Sequence, residues 1–381
     1  MEFLTRSIWG QVNRFFTPGK VLLLLGPRRV GKTVLMRKFM QRMDEPYLYL
    51  SGEDMRTTEL LARRTVAAYQ TLMGNHKALF IDEAQKIPEI GLKLKLMIDH
   101  IPDLRIIATG SSAFDLVHQA GEPLTGRSWM VRLFPFSSEE YAPIENVVTR
   151  QEGLRHRMVY GCYPELIQYP DLEMKSEYLR ELVNTYLLKD ILELEGLRNS
   201  HQISKLLKLL AFQTGALVSN RELGSQLGMD NKTIDKYLDL LSKVFIIFPV
   251  GGFNRNLRKE ISKSRKWYFT DNGIKNILID DMRPLDQRND AGALWENYAI
   301  SERVKFLHNH RIAGSHYFWR TYDQQEIDWI ESRNGQLHAY QFKWNPQKSG
   351  KRPKAWAKNY PDSTFETIHP ENIWDWITET S

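Results

Sequence analysis

One stretch narrows the choice of fold more than any other part of this chain. Five consecutive aliphatic residues, Val21 to Leu25, run directly into Gly26-Pro27-Arg28-Arg29-Val30-Gly31-Lys32-Thr33, and a helix-forming segment begins at Val34. The spacing G-x-x-x-x-G-K-[ST] between an apolar strand and a helix is that of a phosphate-binding loop. Its glycines let the backbone curl so that successive N–H groups converge on phosphate oxygens near the positive end of the following helix. Lys32 is then placed to neutralise the β- and γ-phosphates, and Thr33 to set its hydroxyl on Mg²⁺. Pro27, Arg28, Arg29 and Val30 fill the variable positions, and Val34 completes the candidate nucleotide-binding set.

A loop of this kind needs a second half, a carboxylate at the carboxyl end of another buried strand. Ala78-Leu79-Phe80-Ile81-Asp82-Glu83 supplies one. Asp82 is the candidate partner of Mg²⁺, and Glu83 the candidate base that orients or deprotonates water. Three further β-prone runs, Tyr47–Ser51, Arg105–Thr109 and Trp129–Phe134, alternate with helical stretches. That rhythm predicts parallel βαβ units in an open, doubly wound α/β sheet with helices on both faces. The run at 105–109 ends in Gly110-Ser111-Ser112, so Ser111 or Ser112 is a candidate sensor of the γ-phosphate if this strand lies between the other two. Arg127 is a candidate source of transition-state charge, for its own nucleotide or a neighbouring subunit's.

Beyond Pro135 the pattern turns helical, and from Gln202 it reads helix, turn, helix, turn, helix. The last of these, Lys232 to Val244, is the recognition helix of a predicted helix-turn-helix, with Phe245–Val250 and Lys266–Thr270 as a wing. From Gly292 a helix precedes strands near His316–Arg320, Glu326–Glu331 and Leu337–Lys343. With 381 residues the chain has room for two or three cores. Its single cysteine, Cys162, excludes an internal disulfide and fits a cytoplasmic setting. No aliphatic run approaches the roughly 20 residues that span a bilayer, so no membrane partner is expected. The net charge of +6 leans mildly toward polyanionic partners.

Taken together, Gly26–Thr33, Phe80–Gln85, Thr109–Ser112, Gly126-Arg127, Leu133–Ser137, Leu187–Ile191, Lys266–Gly273 and Trp295-Glu296-Asn297 resemble the AAA-superfamily ATPases of bacteria and archaea that carry a C-terminal domain of unknown function. The resemblance covers nearly the whole chain. It implies an ATPase core at 1–140, a helical lid or linker at 141–200, a winged-helix domain at 201–285 and a PD-(D/E)XK nuclease-like domain at 286–381. It also implies ATP and Mg²⁺ as cofactors, DNA as a partner, and assembly into a homo-oligomer.

Candidate DNA contacts are Lys232 and Lys236 on the recognition helix, and the basic run Arg255, Arg258, Lys259, Lys263, Arg265 and Lys266. Asp230, Asp235 and Asp239 cancel much of the charge on that helix. A second basic run, from Lys343 to Lys358, is interleaved with Trp344 and Trp356. In the nuclease-like unit, Glu296, Asp328, Gln341 and Lys343 form the candidate site. Gln341 stands where the family pattern has a carboxylate, which removes one anionic ligand and weakens any hold on a metal. The expectation is an ATP-hydrolysing, DNA-binding protein with a degenerate, non-cutting nuclease fold. The rivals are an ATP-gated, Mg²⁺-dependent nuclease and a nucleotide-controlled protein-interaction switch without DNA.

Overall fold

A computed structural model describes residues 4–111, 124–187, 200–253 and 265–378. The chain divides into two compact units, Met1–Pro135 with Lys243–Phe245, and Phe136–Ser242 with Ile246–Ser381.

The first unit is built on five parallel strands, β1 (Val21–Leu25), β2 (Tyr47–Ser51), β3 (Ala78–Asp82), β4 (Arg105–Gly110) and β5 (Ser128–Arg132), in the order β2-β3-β4-β1-β5. Strand alternation explains its two covered faces. Val21, Leu23 and Leu25 of β1 join Leu79 and Ile81 of β3 and Ile106 and Ala108 of β4 in one core with Tyr69, Leu94 and Met97. Phe80 faces the other way and packs against Phe16, Phe39 and Tyr47. Full burial of such side chains contributes about 1.5–3 kcal/mol each. The two edge strands depart from the expectation of cover on both faces: Tyr47 on β2 and Met130 on β5 are exposed, because each has a neighbour on one side alone.

The second unit holds a mixed seven-stranded sheet, ordered β12-β11-β10-β9-β7-β8-β6. Its strands are β6 (Leu217–Val218), β7 (Ile247–Gly252), β8 (Arg265–Phe269), β9 (Ser315–Arg320), β10 (Glu326–Arg333), β11 (Gln336–Phe342) and β12 (Thr364–Ile368). The helices Ser200–Phe212, Asn220–Leu227 and Asn231–Lys243 stand where the helix-turn-helix reading puts them. The β7–β8 hairpin that reads as a wing does not end its sheet, since Gly251 and Gly252 of β7 pair in parallel with Tyr317 and Phe318 of β9. One sheet therefore crosses residue 286, the boundary drawn between the wing and the nuclease-like strands. The turn between β10 and β11 is Asn334-Gly335, both at positive φ, the pair that a tight antiparallel hairpin favours.

The helix Ala291–Asn309 is buried on almost every side, so its polar residues must find partners inside. Asn297 accepts from the Phe269 N–H at 2.7 Å and donates to the Phe269 carbonyl and to Asn272. Asp271 caps the next helix through the Ile274 N–H and also accepts from the Cys162 N–H at 2.7 Å. A Cβ on Gly273 would lie 2.0 Å from the Tyr160 carbonyl oxygen. The motifs around Asp271-Asn272-Gly273 and Asn297 thus hold the fold of this unit together.

Among the described residues no helix is long and apolar enough to cross a membrane.

Candidate functional site

The phosphate-binding loop leaves β1 at Gly26, where the chain passes so close to the end of β5 that a Cβ would stand 2.1 Å from the Leu133 carbonyl oxygen. Gly31, at φ 94°, turns the chain into the helix Lys32–Met40 and brings no capping side chain. The first amides of that helix are the anion-binding groups the sequence implies. Arg29, at φ 64°, also takes the left-handed conformation. Lys32 is buried, and its Nζ donates to the carbonyls of Gly26 at 2.8 Å and Pro27 at 3.0 Å, which keeps the ammonium inside the curl. Val30 is fully buried, and Val34 is exposed on the first turn of the helix.

Arg6, a residue no motif singles out, clamps this loop from outside. It is 4% exposed and donates to the Val30 carbonyl at 2.8 Å and to the Phe134 carbonyl at 2.5 Å.

Because β4 lies between β1 and β3, the ends of all three strands meet. Thr33 donates to Asp82 Oδ2 at 2.8 Å, Thr109 donates to Asp82 Oδ1 at 2.6 Å, and the Tyr49 hydroxyl reaches Oδ2 at 3.4 Å. The Tyr49 hydroxyl is pushed above its ordinary pKa by burial and then by the charge on Asp82. Thr109 also accepts from the Glu83 N–H at 3.0 Å, so one buried hydroxyl fixes both acids.

Glu83 sits at φ 48°. Such a conformation costs energy for a residue with a side chain and persists where the surroundings impose it. Here the Glu83 carbonyl presses on Gly52, whose absent Cβ would be 2.2 Å away. Gln85 donates to Glu83 Oε2 at 2.7 Å and to Ser111 Oγ at 3.1 Å. Thr33 and Asp82 are hard oxygen donors of the kind Mg²⁺ prefers, and their proximity fits a magnesium-bound phosphate.

The structure does not bring Arg127 to this site. Its carbonyl accepts from the Val21 N–H, at the amino end of β1, and its guanidinium pairs with Asp99 at 2.7 Å. The loop leaves the opposite end of that strand, so action on its own nucleotide is overturned by the parallel register of β1 and β5. Ser112 and the DNA candidates Arg255, Arg258, Lys259 and Lys263 lie outside the described residues.

In the second unit, Asp328 on β10 accepts from Gln341 Nε2 at 2.7 Å and from the Phe342 N–H at 2.9 Å. Lys266 is not the exposed phosphate contact that the charge run suggests. It is 2% exposed, and its Nζ lies 3.4 Å from Glu296 and 2.5 Å from Glu326. Strand β8 is exposed at its first residue, Arg265, and buried from Lys266 to Phe269. Tyr268 donates to Glu296 at 2.7 Å. Burial, followed by the charge of Glu296, pushes the Asp328 carboxyl up to about 7, while Lys266 pulls it down.

Of the four candidate nuclease residues, Glu296, Asp328 and Gln341 approach one another around Lys266. None of the described contacts joins Lys343 to them. Its backbone N–H donates to Ile368. Among the described residues no three His, Cys, Asp or Glu side chains are arranged to hold a metal ion. Trp356 is fully buried in a core with Trp319, Ile327 and Ile330, so it offers no stacking surface to nucleic acid. Lys232 and Lys236 are exposed on the helix Asn231–Lys243.

Residues 18–142 match a family model described as "AAA domain", residues 151–285 one described as "Domain of unknown function (DUF8612)", and residues 291–370 one described as "Domain of unknown function (DUF4143)". The chain is 26% identical over 341 residues to an uncharacterized protein of Mycobacterium tuberculosis, covering 89% of this chain and 73% of the relative. It is 23% identical over 374 residues to an uncharacterized protein of Methanocaldococcus jannaschii, covering 92% and 81%. Among solved structures it is similar to a Walker-type ATPase of Pyrococcus abyssi, with 19% identity, a TM-score of 0.45, and coverage of 72% of this chain and 93% of the other. By its match to the AAA model the first unit carries an AAA-type P-loop ATPase domain, and two domains of unknown function follow it.

Proposed function

We propose that this chain binds ATP with Mg²⁺ at residues 26–34 and hydrolyses it, and that the second unit grips DNA, duplex or branched, without cutting it. The observation that carries the first part is the joint hold on Asp82 and Glu83. Thr33 ties the phosphate-binding loop to Asp82, and Thr109 ties Asp82 to the backbone of Glu83. The groups that take the phosphates and the group that takes the proton are thereby fixed to one frame. The metal would lower the negative charge that an attacking water meets at the γ-phosphate.

The chain's own residues do the rest. The loop amides and Lys32 orient the phosphates, and Glu83 accepts the proton as water adds to the γ-phosphorus. The bond from phosphorus to the bridging oxygen breaks, and ADP leaves with that electron pair. Arg127, at the far edge of the sheet, could stabilise charge only on a neighbouring subunit's nucleotide, which makes homo-oligomer formation part of the proposal.

For DNA, the support is the helix Asn231–Lys243 carrying exposed Lys232 and Lys236, with Arg265 exposed on β8. Non-cutting is supported by the Lys266 ammonium, which stands among Glu296, Glu326 and Asp328 and supplies the positive charge these acids need.

The test is steady-state release of phosphate from ATP, with and without linear and branched DNA, at two salt concentrations. The proposal expects turnover that DNA stimulates and that salt uncouples from DNA. Turnover indifferent to every DNA at low salt would instead favour a nucleotide-controlled protein switch. Mg²⁺-dependent breakage of the DNA would favour the nuclease.

A further inference from the structure

We infer that Gln85 is a positioning residue of the hydrolytic reaction, tying the carboxylate of Glu83 to the hydroxyl of Ser111. The inference rests on the reading of residues 26–34, Asp82 and Glu83 as an ATP-hydrolysing site. A single amide nitrogen makes the connection: Gln85 Nε2 lies 2.7 Å from Glu83 Oε2 and 3.1 Å from Ser111 Oγ. An amide NH₂ carries two hydrogens and can serve both acceptors at once. The nitrogen, not the oxygen, faces Glu83, because a carbonyl oxygen beside a carboxylate would set two acceptors together with no proton between them. The carbonyl Oε1 is buried and meets no donor among the described residues, so the nitrogen's two bonds determine how this side chain is held.

The placement of the three residues gives the connection its use. Glu83 and Gln85 belong to one tight turn, with Glu83 at φ 48° opening the 3-10 helix Ala84–Lys86. Ser111 follows β4, the strand between the phosphate-binding strand and β3. A group beside the phosphates and the base that activates water thus share one amide. A donor on Oε2 fixes the plane of the Glu83 carboxylate, leaving Oε1 of Glu83 to take the proton.

The experiment uses the full-length chain with Gln85→Ala, Gln85→Glu, Ser111→Ala and the Gln85→Ala/Ser111→Ala double variant, and Glu83→Gln as reference. ATP turnover is followed as a function of ATP concentration, so that kcat and KM are separated. Loss of a hydrogen bond to a charged group should lower kcat about tenfold in Gln85→Ala, with KM for ATP within about twofold. Gln85→Glu, where a like charge replaces the donor, should lose at least as much kcat, again with little change in KM. The double variant should lose less than the product of the single losses.

Full kcat in both Gln85 variants, beside an inactive Glu83→Gln, would overturn the role of Gln85 and leave the ATPase reading standing. Multiplicative losses in the double variant would overturn the tie to Ser111. If Glu83→Gln turned over like the natural protein, the hydrolytic site itself would be misassigned and the inference would fall with it. If Gln85→Ala lost its fold, judged by circular dichroism, the isosteric Gln85→Glu would carry the same decision.

Discussion

Each unit of this molecule gathers carboxylates on a sheet, and the two gatherings are completed in opposite ways. In the first unit Asp82 is held by hydroxyls, from Thr33, Tyr49 and Thr109. Hydroxyls orient a carboxylate but do not cancel its charge, so the arrangement suits a cation that arrives with a ligand. In the second unit the acids face an ammonium from the chain itself, Lys266, which is as buried as the core around it. The contrast teaches that proximity of acids says little about metal chemistry until the donors around them are identified.

The contrast can be broken most sharply at Glu83. Its change to Gln should lower ATP turnover by about 10²–10⁴-fold, the usual worth of a positioned base, while ATP still binds. The expectation is checked by comparing kcat with the affinity from direct titration. In the second unit the matching change is Lys266→Met, which leaves acids without their counter-charge. It should destabilise that unit by roughly 3 kcal/mol, read as a lower urea midpoint. Unchanged stability would mean that Lys266 is not what completes the cluster.

How much of this was legible from residues alone follows from the range over which each feature acts. The phosphate-binding loop and β1 to β5 announce themselves locally, because buried parallel strands are short apolar runs and the loop is one contiguous segment. The same reading places Asp82 and Glu83 correctly at the end of β3. Thr109, Gln85 and Arg6 escaped because their roles arise only when distant segments are folded together, 24 residues apart for Arg6 and Val30 and 26 for Thr109 and Glu83 and for Gln85 and Ser111. The polar alternation Thr364-Phe365-Glu366-Thr367 hid β12, whose partner is the parallel strand β11. The burial of Lys266 is hidden in the sequence because a run of charges does not disclose where a buried strand begins, and β8 is buried from its second residue onward. Gln341 is legible as a departure from the family pattern, but the lysine that neutralises the acids nearby lies on β8, far from it in the chain.

A smaller effect sharpens the comparison at Thr109. Its change to Val removes a donor from Asp82 and an acceptor from the Glu83 N–H, and should lower kcat about tenfold with little change in fold. Single-turnover kinetics would check it. The corresponding probe in the second unit is pH. Asp328 is raised to about 7 in the folded state from 3.8, so the fold binds a proton there more readily than the unfolded chain does. Its contribution to stability is therefore full below about pH 4, declines as pH rises toward 7, and is absent above. Urea midpoints of the natural protein and Asp328→Asn, measured from pH 4 to 8, should differ in slope across that window. Parallel slopes would remove Asp328 as the cause. The smallest expected effect is on DNA: Lys232→Ala should reduce the salt dependence of binding by about one phosphate contact.

The proposed function stands on the loop at residues 26–34 taking a magnesium-bound triphosphate. Titration of the purified chain and of Lys32→Ala with ATP in the presence of Mg²⁺ tests it most directly. The account expects saturable one-site binding to the natural protein and a loss of that binding when the ammonium inside the loop is removed. No saturable binding by the natural protein, or equal binding by both, would contradict it.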